Sequence, residues 1–514
     1  MTATLSLPLS LQDQHVLVLG LGASGLAMAR WCARCGAQVT VADTRAAPPQ
    51  LEALQQLVPQ ARFVSGPLDA GLLQGDVAAV FKSPGLKPSD VALVLEAASA
   101  RGISSGGELS LFSRALQDLA ASRAYAPRVL AITGTNGKTT VTALTGQLIA
   151  RAGKTVAVAG NIGPTLLDTL GAHLDAGTLP EVWVLELSSF QLHDVSDFEP
   201  TAGVVLNLSQ DHLDWHGSMT AYARDKAHVF GHSATMLLNR EDPLVMAMQP
   251  AATKPVKGVA PRTVMCFGGD MPQRPGDFGI EVVNGMAWLV RAHEADETRR
   301  GRKAEAEAIT FQRLMPADAL RIRGRHNAVN ALAALALATV AGCALGPALY
   351  ALRDYRGEPH RVESVAVING VEYFDDSKGT NVGATVAALT GLGDSTGGRR
   401  RLLVILGGEG KGQDFSPLAQ PVAQQVRMAV LIGRDAPLIR QALAGTGATL
   451  LDAGSMPEAV QLASERAQPG YMVLMSPACA SFDMFDNYPH RARVFREAVT
   501  ALALDAGQQL ELTP

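Results

Sequence analysis

A run of aliphatic residues that ends in glycine and passes straight into a helical pattern opens this chain. It occurs at His15-Val-Leu-Val-Leu-Gly20, ahead of a helical stretch from Ser24 to Cys35, and recurs at Arg128-Val-Leu-Ala-Ile-Thr133 ahead of Gly134. A strand without polar alternation is buried on both faces, and a helix that follows it returns over the sheet to start a parallel neighbour. Gln38-Val-Thr-Val-Ala-Asp43 and Val77 to Pro84 continue the alternation, which predicts a doubly wound parallel sheet. In the second segment Val182-Trp-Val-Leu-Glu186 and Gly203 to Leu208 read as strands, and a long helix is expected from about Asn327 to Thr339. A third segment begins near Gly357. There Ser364-Val-Ala-Val-Ile and Val371-Glu-Tyr-Phe flank Asn369-Gly370, a hairpin signal. Arg401 to Gly407, Met428 to Gly433 and Tyr471 to Ser476 follow as parallel-type strands.

With 514 residues, 47% of them apolar, the chain can bury several cores. The expectation is three α/β domains in series, at 1–107, 108–357 and 358–514. Lys plus Arg number 44 against 48 Asp plus Glu, a balance that argues against a nucleic-acid surface or an anionic-membrane binder. Five cysteines do not make a disulfide framework. Cys32 and Cys35 form a Cys-x-x-Cys, but they fall late in a helix and read as packing residues rather than a redox pair. Asn327 to Leu352 lacks charge, yet it is Ala-rich and interrupted, so a buried helix is expected there rather than a membrane span. Met1 to Gln14 shows no secretion signal, and a soluble cytoplasmic protein is expected. Arg291 to Arg313, rich in charge and alanine, is expected to be a surface insertion, helical or mobile, without chemistry.

Four groups of residues carry chemistry. Gly20-Leu-Gly-Ala-Ser-Gly25 lies between strand and helix, with Asp43 closing the next strand; this suits a nucleotide diphosphate and a sugar hydroxyl. Thr133-Gly-Thr-Asn-Gly-Lys-Thr-Thr140 is an ATP-type loop whose backbone wraps phosphates, with Lys138 reaching the terminal ones and Thr139 available to magnesium. Ile132 stands where the full P-loop has its leading Gly. Glu186, Asp211, His212 and Lys226 sit behind it, and Leu213 after His212 removes the base that a zinc protease needs. In the third segment Pro359-His-Arg361, Asp375-Asp-Ser-Lys-Gly-Thr-Asn381, Gly407-Gly-Glu-Gly-Lys-Gly412 and Ser476-Pro-Ala-Cys-Ala-Ser-Phe-Asp483 offer cations and Gly-rich turns to anionic groups. The first turn alone would also suit a NAD oxidoreductase, and the ATP loop alone a regulatory nucleotide-binding module.

Taken together, from about His15 to Phe495, these motifs resemble the Mur ligase family. The Asp-Ser-Lys-Gly-Thr-Asn, Gly-Gly-Glu-Gly-Lys and Ser-Pro-Ala-Cys-Ala-Ser-Phe-Asp runs select its D-glutamate-adding branch over the related folylpolyglutamate synthases. The resemblance implies a Rossmann-like UDP-binding domain, a central P-loop ATPase-like domain and a C-terminal Rossmann-like domain. It implies ATP-dependent addition of D-glutamate to UDP-N-acetylmuramoyl-L-alanine through an acyl phosphate, with a closing motion of the third domain. UDP-substrate contacts would come from Ser24, Asp43, Thr44, Arg45, Ser83, Gly85 and Asn161. ATP contacts would come from Gly134, Thr135, Asn136, Gly137, Lys138, Thr139, Thr140, Asn327, Asn330, Arg361 and Asp376. Two Mg²⁺ ions would be held by Thr139, Glu186, His212 and a carbamylated Lys226, with Lys138, Glu186, His212 and Lys226 as the catalytic set. D-glutamate would be met by Lys378, Thr380, Lys411, Ser481, Phe482 and Tyr488. The same resemblance implies a monomer without nucleic-acid or membrane partners. Gly379, Glu409 and Ala492 replace the family's usual Ala, Asp and Gly, and none of these changes removes a charge.

Overall fold

The computed structural model describes residues 11–251, 261–295, 309–394 and 400–508. The chain forms two compact units: Met1–Leu208 with His212–Phe267 and Ala333–Ala351, and Ser209–Asp211 with Gly268–Leu332 and Leu352–Pro514.

The first unit contains two parallel sheets. One has the spatial order Arg62–Ser65, Gln38–Asp43, His15–Leu19, Val77–Lys82, Ser104–Gly106. The order reverses beside His15–Leu19, so the Gly20 turn and Ser83 meet at the switch point, where open α/β sheets bind ligands. The other sheet runs Val264–Phe267, Thr235–Asn239, Ala202–Val205, Arg128–Thr133, Val182–Glu186, Val156–Gly160. Here Arg128–Thr133 is flanked on both sides, and three strand ends converge. One apolar cluster serves both sheets, from Trp31 and Phe112 to Trp183 and Leu185. Phe112 and Trp183 meet edge to face with ring centroids 5.1 Å apart.

The second unit holds a three-stranded antiparallel sheet, Phe278–Val283, Met286–Glu294 and Ile309–Pro316. Its six-stranded sheet has the order Glu363–Ile368, Val371–Asp375, Met472–Met475, Leu402–Gly407, Val426–Ile432, Thr449–Asp452. Only the first pair is antiparallel, joined through Asn369 (φ 51°) and Gly370 (φ 75°), the two positive-φ residues a type I′ turn requires.

One expectation is corrected. The flanks of the 291–313 insertion are β-strands, not helix: Arg291 pairs with Gln312 and Glu294 with Ile309. Charged side chains conceal a strand whose register is set by its hairpin partners. Residues 296–308 of that stretch lie outside the described residues. The uncharged stretch forms two helices, Arg325–Val340 and Leu345–Asp354, broken at Gly342 (φ 78°). Among the described residues no helix is long and apolar enough to cross a membrane. Cys32 and Cys35 are buried, and desolvation pushes both thiols up, Cys35 to about 11, far from a reactive thiolate.

Candidate active site

At the first switch point Gly25 lies so close to the turn that an added Cβ would stand 2.0 Å from the Gly20 carbonyl oxygen. The Ser83 hydroxyl donates to that same carbonyl at 3.2 Å. Asp43 is buried, and its carboxylate accepts from the Leu21 N–H at 2.7 Å and from Arg45 Nε and Nη2 at 2.8 Å. The Arg45 hydrogen bonds, joined by that backbone N–H, hold its carboxyl down at about 2. Asp43 therefore braces the glycine turn as well as closing its strand, while Thr44, Arg45 and Gly85 are exposed. Ser24 hydrogen-bonds Glu108, a buried acid that also accepts from the Leu167 N–H and whose pKa burial raises. Sequence reasoning passed over Glu108, because an acid opening a helix reads as an ordinary surface residue.

In the second sheet the strand Arg128–Thr133 runs through Gly134 and Gly137 (φ 82°) into the helix Lys138–Arg151, which has no acid in its first turn. No acidic side chain there counters the positive end of the helix dipole, which suits an anion. Asn207 carries the loop's shape: its carbonyl accepts from the Thr135 N–H at 2.9 Å and its Oδ1 from the Asn136 N–H at 2.8 Å. Lys138 Nζ donates to the carbonyls of Gly134 and Thr135 at 2.9 and 2.8 Å. Lys226, 1% exposed, donates to the same Gly134 carbonyl at 3.0 Å and to the Thr133 hydroxyl at 3.2 Å. Two ammonium groups therefore converge on one loop carbonyl.

Glu186 ends its strand almost fully buried. Asn161 Nδ2 donates to its Oε1 at 2.9 Å, which joins two residues assigned to different ligands. Among the described residues its Oε2 is buried without a hydrogen-bond partner, and a carboxylate oxygen so placed beside a phosphate-type loop suits a hard cation. His212, in the left-handed region (φ 52°), packs against Phe190 at 4.8 Å. His216, four residues on, is bound to Asp225 Oδ2 and the Ser189 hydroxyl, both at 2.9 Å. Burial works against the Asp225 charge, but His193 and His216 hold its carboxyl well below the usual range. One acid–imidazole triad among the described residues, His360–Glu363–Asp375, brings its ligand atoms within 4.8 Å of one another. There the Arg496 guanidinium already contacts both carboxylates.

In the second unit Asn327 Nδ2 donates to the Arg323 carbonyl at 2.8 Å, and Asn330 Nδ2 to Asn327 Oδ1 at 3.2 Å. Between them and the preceding turn lies His326, whose ring fits only because positions 324 and 391 are glycine. Burial lowers its pKa to about 4, so it is neutral. At the C-terminal sheet the ends of Val371–Asp375, Met472–Met475 and Leu402–Gly407 bring three predicted loops together. The Ser476 hydroxyl donates to Asp376 Oδ2 at 2.6 Å, and Glu409 and Ala480 pair through their backbones. Burial, opposed by the Ser476 hydroxyl and the Arg361 charge, pushes Asp376 up to about 7. Lys378 Nζ lies 4.0 Å from the Tyr488 ring centroid and Lys411 Nζ 5.6 Å from that of Phe482. Ser481 is buried in the same group, Phe482 is exposed, and Thr380 lies between those extremes.

The segments carrying these sites match three family descriptions: a Mur ligase MurD-like N-terminal domain over 14–107, a Mur ligase middle domain over 132–338, and a Mur ligase glutamate ligase domain over 360–479. A UDP-N-acetylmuramoylalanine–D-glutamate ligase of Albidiferax ferrireducens is 68% identical, covering 98% of this chain and 99% of its own length. The chain belongs to the Mur ligase family. A protein of the same name from Cupriavidus pinatubonensis is 57% identical over 97% of this chain and 99% of its own length. Among solved structures, the MurF ligase of Thermotoga maritima in complex with ADP aligns at TM-score 0.55 and 13% identity, covering 96% of this chain and 97% of that one. The UDP-N-acetylmuramate-alanine ligase MurC of the same organism aligns at 0.52 and 18%, covering 95% and 100%. At those identities the likeness is one of fold. Mur ligases use ATP and Mg²⁺, and a helix first turn without an acid and a buried carboxylate at Glu186 are compatible with that pair.

Proposed function

We propose that this Mur ligase joins D-glutamate to UDP-N-acetylmuramoyl-L-alanine in the cytoplasm, acting as a monomer, with ATP converted to ADP and phosphate. The 68% identity to the Albidiferax ferrireducens ligase across nearly the whole of both chains carries this reading.

A carboxylate is a poor acyl electrophile. Transfer of the γ-phosphoryl group to the L-alanyl carboxylate gives an acyl phosphate with phosphate as leaving group. The D-glutamate amine then attacks the acyl carbon, the C–O bond to phosphate breaks, and the amine loses a proton as the amide forms. In this reading the Gly20–Gly25 turn, with Ser24, Asp43, Thr44, Arg45, Ser83, Gly85 and Asn161, holds the UDP substrate. The 134–140 loop wraps the triphosphate, and Lys138 leaves its own loop carbonyls to meet the terminal phosphates. Asn327 and Asn330 meet adenine, and Arg361 and Asp376 the rest of the nucleotide. Thr139, Glu186, His212 and Lys226 would hold two Mg²⁺ ions, and bound there the ions would supply charge neutralisation for phosphoryl transfer. As an ammonium Lys226 would repel a cation; as a carbamate it is a carboxylate-type ligand. Lys378, Thr380, Lys411, Ser481, Phe482 and Tyr488 receive D-glutamate.

The test is phosphate release from ATP with UDP-N-acetylmuramoyl-L-alanine and D-glutamate, L-glutamate or no amino acid. Release and ligated product are expected with D-glutamate alone; release that favours L-glutamate on a folate acceptor would move the chain to the folylpolyglutamate branch.

A further inference from the structure

The last helix, Tyr488–Asp505, carries a cation to which sequence reasoning gave no role. Arg491 is 0% exposed and sits in the helix's first turn, where the dipole disfavours positive charge. Among the described residues it forms no hydrogen bond to a carboxylate, and its Nε has no partner at all. Burial pulls its pKa down to about 10. A charge taken out of water costs stability. Asp483, Asp375 and Asp376 offset part of that cost through space without bonding to the guanidinium, and a hydrocarbon side chain of similar volume would fill the space without the cost. Its retention calls for a role that hydrocarbon cannot fill.

Its hydrogen bonds supply one. Nη2 donates to the Ser377 carbonyl at 2.9 Å and Nη1 to the Cys479 carbonyl at 3.1 Å. Ser377 lies between Asp376 and Lys378 on one loop, and Cys479 two residues before Ser481 on the other. The strands that lead into these loops, Val371–Asp375 and Met472–Met475, are paired up to Asp375 and Met475. Past that pair the Asp376 N–H still donates to the Met475 carbonyl at 2.8 Å and the Ser476 hydroxyl to Asp376 at 2.6 Å. Further out, the planar fork of the guanidinium ties the Ser377 and Cys479 carbonyls together with two donors. From Ala480 the spacing passes on to Glu409 through their backbone bridge, towards the loop that bears Lys411. Tyr488, one turn back on the same helix, lies beneath the Lys378 ammonium.

We propose that Arg491 is a positioning residue for the amino-acid substrate, setting the distance between the Lys378–Thr380 loop and the Ser481–Phe482 loop. The inference rests on the assignment of those loops to D-glutamate. Arg491→Met keeps the volume and removes the fork; Arg491→Lys keeps the charge and leaves a single prong. Steady-state kinetics of the full chain are expected to show KM for D-glutamate raised by about 30- to 100-fold in both variants, the scale of a misplacement near 1 Å. KM for UDP-N-acetylmuramoyl-L-alanine, whose assigned contacts all lie between Ser24 and Asn161, should stay within about threefold, which a general loss of structure would not spare; KM for ATP is not a control, because Asp376 adjoins Ser377. A parallel change in the UDP-substrate constant, or an unchanged D-glutamate constant in a folded variant, would overturn the proposal. If the Met variant does not fold, the Lys variant decides; if neither folds, Arg491 belongs to core stability and the positioning role is refuted. Wild-type chain that fails to ligate D-glutamate would instead withdraw the assignment of the loops.

Discussion

Lys138 has two places to be. Its ammonium donates to the Gly134 and Thr135 carbonyls, bonds that a triphosphate in the loop would exchange for charge-assisted ones. Lys138→Ala is expected to lower ATP-dependent turnover by at least about 1,000-fold, the upper scale for removing one preorganised group at a developing charge. Substantial activity in a folded variant would remove the loop from the reaction. His193 gives a pH dependence. Hydrogen bonds to Asp194, then Asp225, raise its pKa from 6.5 to about 9. The folded chain thus keeps a proton that the unfolded chain releases, so this stabilisation is complete below pH 6.5 and disappears as pH rises through about 9. Urea unfolding of wild type and His193→Asn at pH 6, 7.5 and 9 is expected to show an advantage, discounted for the solvent screening of a half-buried group, of about 2 kcal/mol that fades with pH. An advantage that does not change with pH would mean that the imidazolium is not what these acids hold.

At the scale of elements, close approach decides. Gly25 lets the helix Ala23–Arg34 start against the Gly20 carbonyl, where a methyl group would overlap backbone that cannot yield. Gly25→Ala should destabilise the chain by more than about 3 kcal/mol in urea unfolding, since relief requires the helix to move off its sheet. A change below 1 kcal/mol would show that the turn is pliable. The hairpin Met286–Glu294 with Ile309–Pro316 makes the opposite point. Because Glu294 stands opposite Ile309, replacing residues 295–308 by Asn-Gly should close the ladder with a two-residue turn. Turnover is expected to stay within about twofold; a larger loss would give the 291–313 insertion a part in the chemistry.

For the whole molecule, two compact units imply unfolding that departs from a single two-state transition. UDP-N-acetylmuramoyl-L-alanine at 100 times its Kd should add about 2.7 kcal/mol to the unit that contains Gly20 to Gly25. Calorimetry should therefore show one transition moving more than the other. Equal movement of both, or a single two-state transition, would mean the units unfold as one.

Much of this was legible without coordinates because it is local. Strands buried on both faces, glycine turns into helices and the Asn369-Gly370 hairpin write their conformations in nearest neighbours, and the motif loops follow from where strands end. Strands with mixed polarity were not legible: Thr449–Asp452 takes its conformation from Val426–Ile432 beside it, and the three-stranded meander from its own pairing. The buried groups Glu108, Asp225, His326 and Arg491 look in sequence like ordinary polar residues. Their roles arise from partners up to 114 positions away, as between Arg491 and Ser377. Sequence alone determined the α/β class, the strand-end loops and the family. The tertiary structure alone decided which charges are buried, which carbonyls they hold and where a free carboxylate oxygen remains, because desolvation and hydrogen-bond geometry exist only once distant segments are packed together.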